Sequence, residues 1–102
     1  VKFMFTVYKY DLEITDSQSI ELPMGAQILC VQAQFDKPQL WALVDSGLNK
    51  KLVDFRHFKI IGTGQLIDGT SISTINLIEY IGTFQLFSGN LVYHVFEDKS
   101  NN

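Results

Sequence analysis

Hydrophobic and polar positions alternate with a period of two along most of this chain, and that period predicts strands. In KFMFTVYKY, Lys2 to Tyr10, the residues Phe3, Phe5 and Val7 alternate with Met4, Thr6 and Tyr8. Phe, Val, Thr and Tyr also suit a pleated surface. Gln27 to Phe35 sets Leu29, Val31, Ala33 and Phe35 on one face, with Cys30, Gln32 and Gln34 on the other. Asp36-Lys37-Pro38 then leads into a strand from Gln39 to Val44, and so short a connection predicts a hairpin. Pro38 biases Lys37 away from helix, in keeping with that hairpin. Upstream, Leu22-Pro23-Met24-Gly25 places Pro second and Gly fourth, the signature of a type I turn.

The middle of the chain is less regular. Ser46 to Phe55 is polar and reads as a loop, although Leu48, Leu52 and Phe55 have the spacing of one helical turn. IGTGQLI, Ile61 to Ile67, and IGTFQLF, Ile81 to Phe87, share five of seven residues at a spacing of twenty, and both read as strands. A duplicated local structure such as a bulged strand would account for the repeat; two short copies are too few for a solenoid. Between them Asp68 to Asn76 is rich in Gly, Ser and Thr and reads as an exposed loop. YIGTFQLF and LVYHVFE flank the compact turn Ser88-Gly89-Asn90 and form the clearest hairpin. Six or seven short, mostly antiparallel strands predict an all-β domain over residues 1–98, a small sandwich or partly open barrel, with Lys99 to Asn102 as a disordered tail.

Composition narrows the function classes. A chain of 102 residues buries roughly two-thirds of its unfolded surface, enough for one core. With 46% hydrophobic and 19% charged residues it is not a disordered chain. A net charge of −3 makes nucleic acid an unlikely partner, because phosphate contacts need a concentrated positive field. No apolar run approaches the roughly 20 residues that span a bilayer, and no secretory signal pattern is visible, so no membrane partner is expected. Cys30 is the only cysteine, which excludes an internal disulfide and fits a reducing, cytoplasmic setting.

The candidate chemistry is sparse. LWALVDSGLN, Leu40 to Asn49, reads like the half-site of a dimeric, retroviral-type aspartic protease, with Asp45 as one of two carboxylates sharing a proton. That motif needs a downstream apolar-apolar-Gly leading into a helix. Ile60-Ile61-Gly62 and Tyr80-Ile81-Gly82 instead lead into strand-like sequence, and Asp-Ser-Gly is also ordinary turn chemistry. Gly62-Thr63-Gly64 lacks the further glycines or Lys of a phosphate loop and reads as a strand-end bulge. His57 and His94 have no metal-ligand spacing, and His94 shares the face of Val92 and Phe96. Lys50, Lys51, Arg56 and Lys59 hold half of all the Lys and Arg, a segment able to meet an acidic partner or a phosphate. Trp41 and Leu43 face away from Leu40, Ala42 and Val44, so both faces of that strand are apolar and one is expected to be covered by another chain.

The blocks YKYDLEITDSQSIELPMGAQILCVQAQ, LWALVD, FKIIGTGQLI and YIGTFQLFSGNLVYHVFE, in this order over about residues 8–97, resemble a family of short phage and prophage proteins. The resemblance implies a viral or mobile-element origin and an accessory role, without an assigned activity. Its Gly-Thr-Gly, Tyr-Ile-Gly-Thr-Phe and His-Val-Phe-Glu blocks fall on Gly62 to Gly64, Tyr80 to Phe84 and His94 to Glu97. The expectation is therefore a non-enzymatic, cytoplasmic binding protein without cofactor or metal. Its partner is expected to be a host protein or a small anionic ligand, with a homo-oligomer as a further option. The candidate contact residues are Trp41, Arg56, Lys59, Gly62, Thr63, Gly64, Tyr80, Thr83 and His94. The alternatives are the dimeric protease centred on Asp45 and a minor virion component.

Overall fold

The computed structural model describes residues 3–47, 52–67 and 78–100. They form seven antiparallel strands in two sheets, with no helix among the described residues and no closed barrel. The strands are β1 (Phe5–Asp11), β2 (Ser17–Pro23), β3 (Gln27–Gln34), β4 (Lys37–Asp45), β5 (Val53–Gly62), β6 (Ile78–Leu86) and β7 (Leu91–Asp98). One sheet has the order β1-β4-β3 and the other β2-β5-β7-β6. The all-β architecture is that of a small sandwich or open barrel.

Alternation decides which face each strand buries. Leu40, Ala42 and Val44 of β4 turn inward against Phe58 and Ile60 of β5, Val95 of β7, and Phe84 and Leu86 of β6. Leu12, Leu22, Ala26 and Val31 complete this core. The sheets come closest where β3 meets β6. A Cβ at Gly82 would lie 2.9 Å from Val31 Cγ2, so only glycine fits there without displacement.

A bulge makes that contact possible. Between Tyr80 and Gly82 the β6–β7 register slips by one residue, so that Tyr80 opposes Phe96 but Gly82 opposes Val95. Without the slip, Phe84 and Leu86 would share the outer face with Tyr80, because one residue of register exchanges the two faces of a strand. The bulge therefore returns two large side chains to the core.

Several sequence expectations change. Ser17–Pro23 is a strand that the pattern did not announce, and β5 begins at Val53, inside the segment read as a loop. Ile61 to Ile67 is not a strand throughout, since β5 ends at Gly62 and Thr63-Gly64 is a turn. The repeat is thus no duplicated bulge: only its second copy is bulged. The Pro23 turn lies one residue later than expected. Ala26 N donates to Pro23 O at 3.1 Å with Gly25 at φ +80°, which is type II geometry. The β3–β4 turn is Phe35-Asp36, and Lys37 and Pro38 already belong to β4. Lys99 pairs with Glu79, and Ser100 donates to Asp98, so these two residues of the expected tail are tied down. Leu48, Lys50, Lys51 and the segment 68–76 lie outside the described residues.

One polar group crosses the interior. Arg56 points inward from β5 and donates through Nε and Nη2 to Glu97 at 2.5 and 2.9 Å, and through Nη1 to the carbonyl of Ala26 at 2.7 Å. Ala26 stands at the entry to β3, so the guanidinium joins the two sheets. Glu97 is only 3% exposed. Its hydrogen bonds hold the Arg56 guanidinium pKa above its ordinary value, against the opposing effect of burial. Arg56→Met leaves a buried carboxylate alone and should lower unfolding stability by about 3–5 kcal/mol in urea titrations. Combining it with Glu97→Leu should restore most of that loss, because the uncompensated charge is then gone.

Candidate functional site

On the outer face of the four-stranded sheet, four of the nine candidate residues are joined by hydrogen bonds. β7 lies between β5 and β6, and His94 is opposite Ile61 on one side and Thr83 on the other. Thr83 Oγ1 lies 2.9 Å from His94 Nδ1, and Thr63 Oγ1, just past the end of β5, lies 2.7 Å from Nε2. Tyr80 Oη continues the chain, 2.6 Å from Thr83 Oγ1. The two Ile-Gly-Thr copies thus place a threonine on each ring nitrogen of one histidine. One assignment gives every proton an acceptor: Tyr80 donates to Thr83, Thr83 to Nδ1, Nε2–H to Thr63, and Thr63 to Val92 O at 3.5 Å. Tyr80 also packs edge-on against Phe96, with ring centroids 5.7 Å apart.

The other candidates are placed elsewhere or act differently. Gly62 opposes Tyr93, and its N–H donates to Gln65 Oε1 at 2.9 Å, while Gln65 Nε2 reaches Asp16. Gly64 sits at φ +80°, where glycine avoids the strain a side chain would bring. Lys59 shares the outer face but stands two residues along β5 from Ile61, donating to Ser17 Oγ at 2.7 Å. Arg56 faces inward and is held by Glu97, so it does not extend a basic patch. Trp41 lies on the outer face of the other sheet, half-buried between Lys9 and Cys30 in register.

Asp45 ends β4. Its Oδ1 accepts the backbone N–H of Met4 at 3.1 Å and of Gly47 at 2.9 Å, and Ser46 Oγ donates to Met4 O. The Asp-Ser-Gly segment therefore ties Met4 to the end of β4: the Asp45 carboxylate accepts the Met4 N–H, and the Ser46 hydroxyl and backbone N–H both donate to the Met4 carbonyl.

Around Trp41 the three-stranded sheet shows an apolar outer surface. Leu43 opposes Val7, and Phe5 opposes Asp45. Phe5 is 64% exposed and Val7 48%, and Phe3 stacks on Phe5 with ring centroids 6.1 Å apart. Leu29, the extra residue of the β3 bulge, is also exposed. The sequence drew attention to Trp41 and missed Phe5 and Val7. Their place in the β1 alternation was visible, but their partners across the sheet were not.

Two measurements test this geometry. Thr63→Val and Thr83→Val should each remove about 1 kcal/mol of stability, the net worth of a typical hydrogen bond, and each should alter the imidazole nitrogen shifts of His94. The Asp98 carboxyl is held below its ordinary pKa, chiefly by the Ser100 hydroxyl. The Ser100 N–H and the charges of Lys59 and His57 act in the same direction, and desolvation opposes them. A carboxylate with a lowered folded pKa stabilises fully above its unfolded pKa of about 3.9, and that contribution is lost as pH falls through the folded value. Ser100→Ala should therefore lower stability at pH 6 and have little effect near pH 2, as followed by thermal melts.

No curated protein and no solved structure matches the chain. Over residues 4–102, nearly its whole length, the sequence matches a family described as domain of unknown function DUF7352, and the chain belongs to that family.

Proposed function

We propose that this chain is a non-enzymatic binding protein whose outer β1-β4-β3 face is covered by another protein chain. The observation that carries the reading is the apolar strip Phe5, Val7, Trp41 and Leu43, flanked by Phe3 and Leu29, with no described element packed over it. Exposed apolar area of this kind marks interaction surfaces. Phe5 and Val7 would each contribute on the order of 1–2 kcal/mol on burial.

The covering chain is either a second copy or a host protein. A non-catalytic role is also supported by Asp45, whose Oδ1 is taken up by backbone donors, and by His94, whose two ring nitrogens both meet hydroxyls.

Phe5→Lys and Val7→Lys place charges on the strip without touching the core. In light scattering the unaltered protein should exceed the monomer mass, and each variant should return it to a monomer. If the unaltered protein is already monomeric, one host protein should be retained by it and lost from both variants. A strict monomer that retains nothing sensitive to these substitutions would overturn the proposal.

A further inference from the structure

The loops at one end of the sandwich form a second surface, separate from the sheet face. Among the described residues four non-glycine residues have left-handed backbone, and all four lie in two hairpin turns: Phe35 (φ 53°) and Asp36 (φ 60°) between β3 and β4, Phe87 (φ 52°) and Ser88 (φ 57°) between β6 and β7. The turns touch, since the Phe87 N–H donates to Asp36 Oδ1 at 3.2 Å. Each opens on a phenylalanine where Gly, Asn or Asp is the favoured residue, because a bulky side chain is strained at positive φ. Neither phenylalanine is kept there by the core: Phe35 is 93% exposed and Phe87 55%.

The neighbouring loops continue the pattern. The 12–16 loop reaches the 63–67 loop through Asp16 and Gln65, and it faces Lys37 and Pro38 across an open groove lined by Asp11, Leu12, Glu13 and Ile14. Ile14 and Ile67 are exposed, and Leu66 is 96% exposed. Among these apolar tips stand Asp11, Glu13, Asp16 and Asp36, against Lys37 and Lys9, whose Nζ donates to Gln34 Oε1 at 2.7 Å beside Phe35. The end is therefore apolar at its tips and acidic around them.

We propose that this end docks onto a protein surface that is apolar at its centre and ringed by lysine or arginine. Charge selects that occupant. A second copy would set the same excess, four carboxylates over two lysines, against itself, and an anionic membrane would repel that excess. Strained residues persist where the surroundings over-determine them or where they serve a function. A phenylalanine fixed on a tight turn, two residues long for Phe35 and four for Phe87, also loses little conformational freedom on binding.

The test uses Phe35→Asn and Phe87→Asn, singly and together, because asparagine relieves the positive-φ strain. The probe is an amphipathic helical peptide with a Leu/Phe face flanked by Lys and Arg. A control peptide has the same apolar face flanked by Glu. The Lys/Arg peptide should shift the backbone amide signals of Phe35, Asp36, Leu66 and Phe87 saturably. Its affinity should fall at least tenfold in the double variant, while the Tm of each variant stays level or rises. Phe5→Lys should leave this binding unchanged, which separates it from the sheet face. Equal binding of the Glu peptide, shifts confined to other residues, undiminished affinity in the double variant, or a fall in Tm would each overturn the proposal. So would phosphatidylcholine vesicles that shift the same signals where the Lys/Arg peptide does not, an outcome that assigns the end to lipid.

Discussion

The guanidinium of Arg56 holds the two sheets in their relation to each other. It leaves β5, enters the interior, meets both oxygens of Glu97 on β7, and directs a third N–H to the carbonyl that precedes β3. A buried pair of this kind adds little net stability compared with well-packed apolar residues of the same volume. It is nevertheless directional, and only one superposition of the sheets lets three donors find three acceptors. The Gly82–Val31 contact depends on that superposition, because it brings β3 and β6 close enough that no side chain fits between them. The clasp sets the geometry, and apolar burial supplies most of the free energy.

Given that interior, the two outer faces differ for reasons that lie in the strands themselves. On the four-stranded sheet the outward residues include Phe55 and Ile61, but their centre carries hydroxyls and an imidazole that satisfy one another across β7, β6 and the end of β5. On the three-stranded sheet the outward residues of β1 and β4 include Phe5, Val7, Trp41 and Leu43, which cannot satisfy one another by hydrogen bonding. A face saturated by its own contacts has less to offer a partner than one whose apolar area still meets water.

Most of the strands were legible in the sequence because their interiors are apolar at alternate positions. β4 and β7 follow that rule, and so do β3 and β6 on either side of their bulges, whereas β1 alternates but turns Phe5 and Val7 outward and Thr6, Tyr8 and Tyr10 inward. β5 does not, because Asp54 and Arg56 alternate with Phe58 on the inward side, and the ion pair that makes Arg56 acceptable there lies 41 residues away on Glu97. β2 carries Gln18 inward and serine and glutamate outward, too polar to announce a strand. The bulge at Ile81 breaks the period in mid-strand, and the hairpin tips use phenylalanine where turn chemistry favours Gly or Asn. Tyr80, Thr83, Thr63 and His94 stood among nine candidate residues, with nothing in the sequence to set these four apart. Their hydrogen-bonded chain follows only from the pairing of β5, β7 and β6. Arg56 looked like surface charge for the same reason that Val53 to Phe55, the start of β5, looked like a loop.

If the Arg56 clasp makes one cooperative body of the two sheets, native-state hydrogen exchange reports it directly. The amides of Leu40 and Ala42 in β4 should then exchange through the same global opening, at the same free energy, as those of Val95 and Glu97 in β7. Exchange of the β4 amides at a distinctly lower free energy, with β7 still protected, would show that the three-stranded sheet opens by itself and would contradict the account.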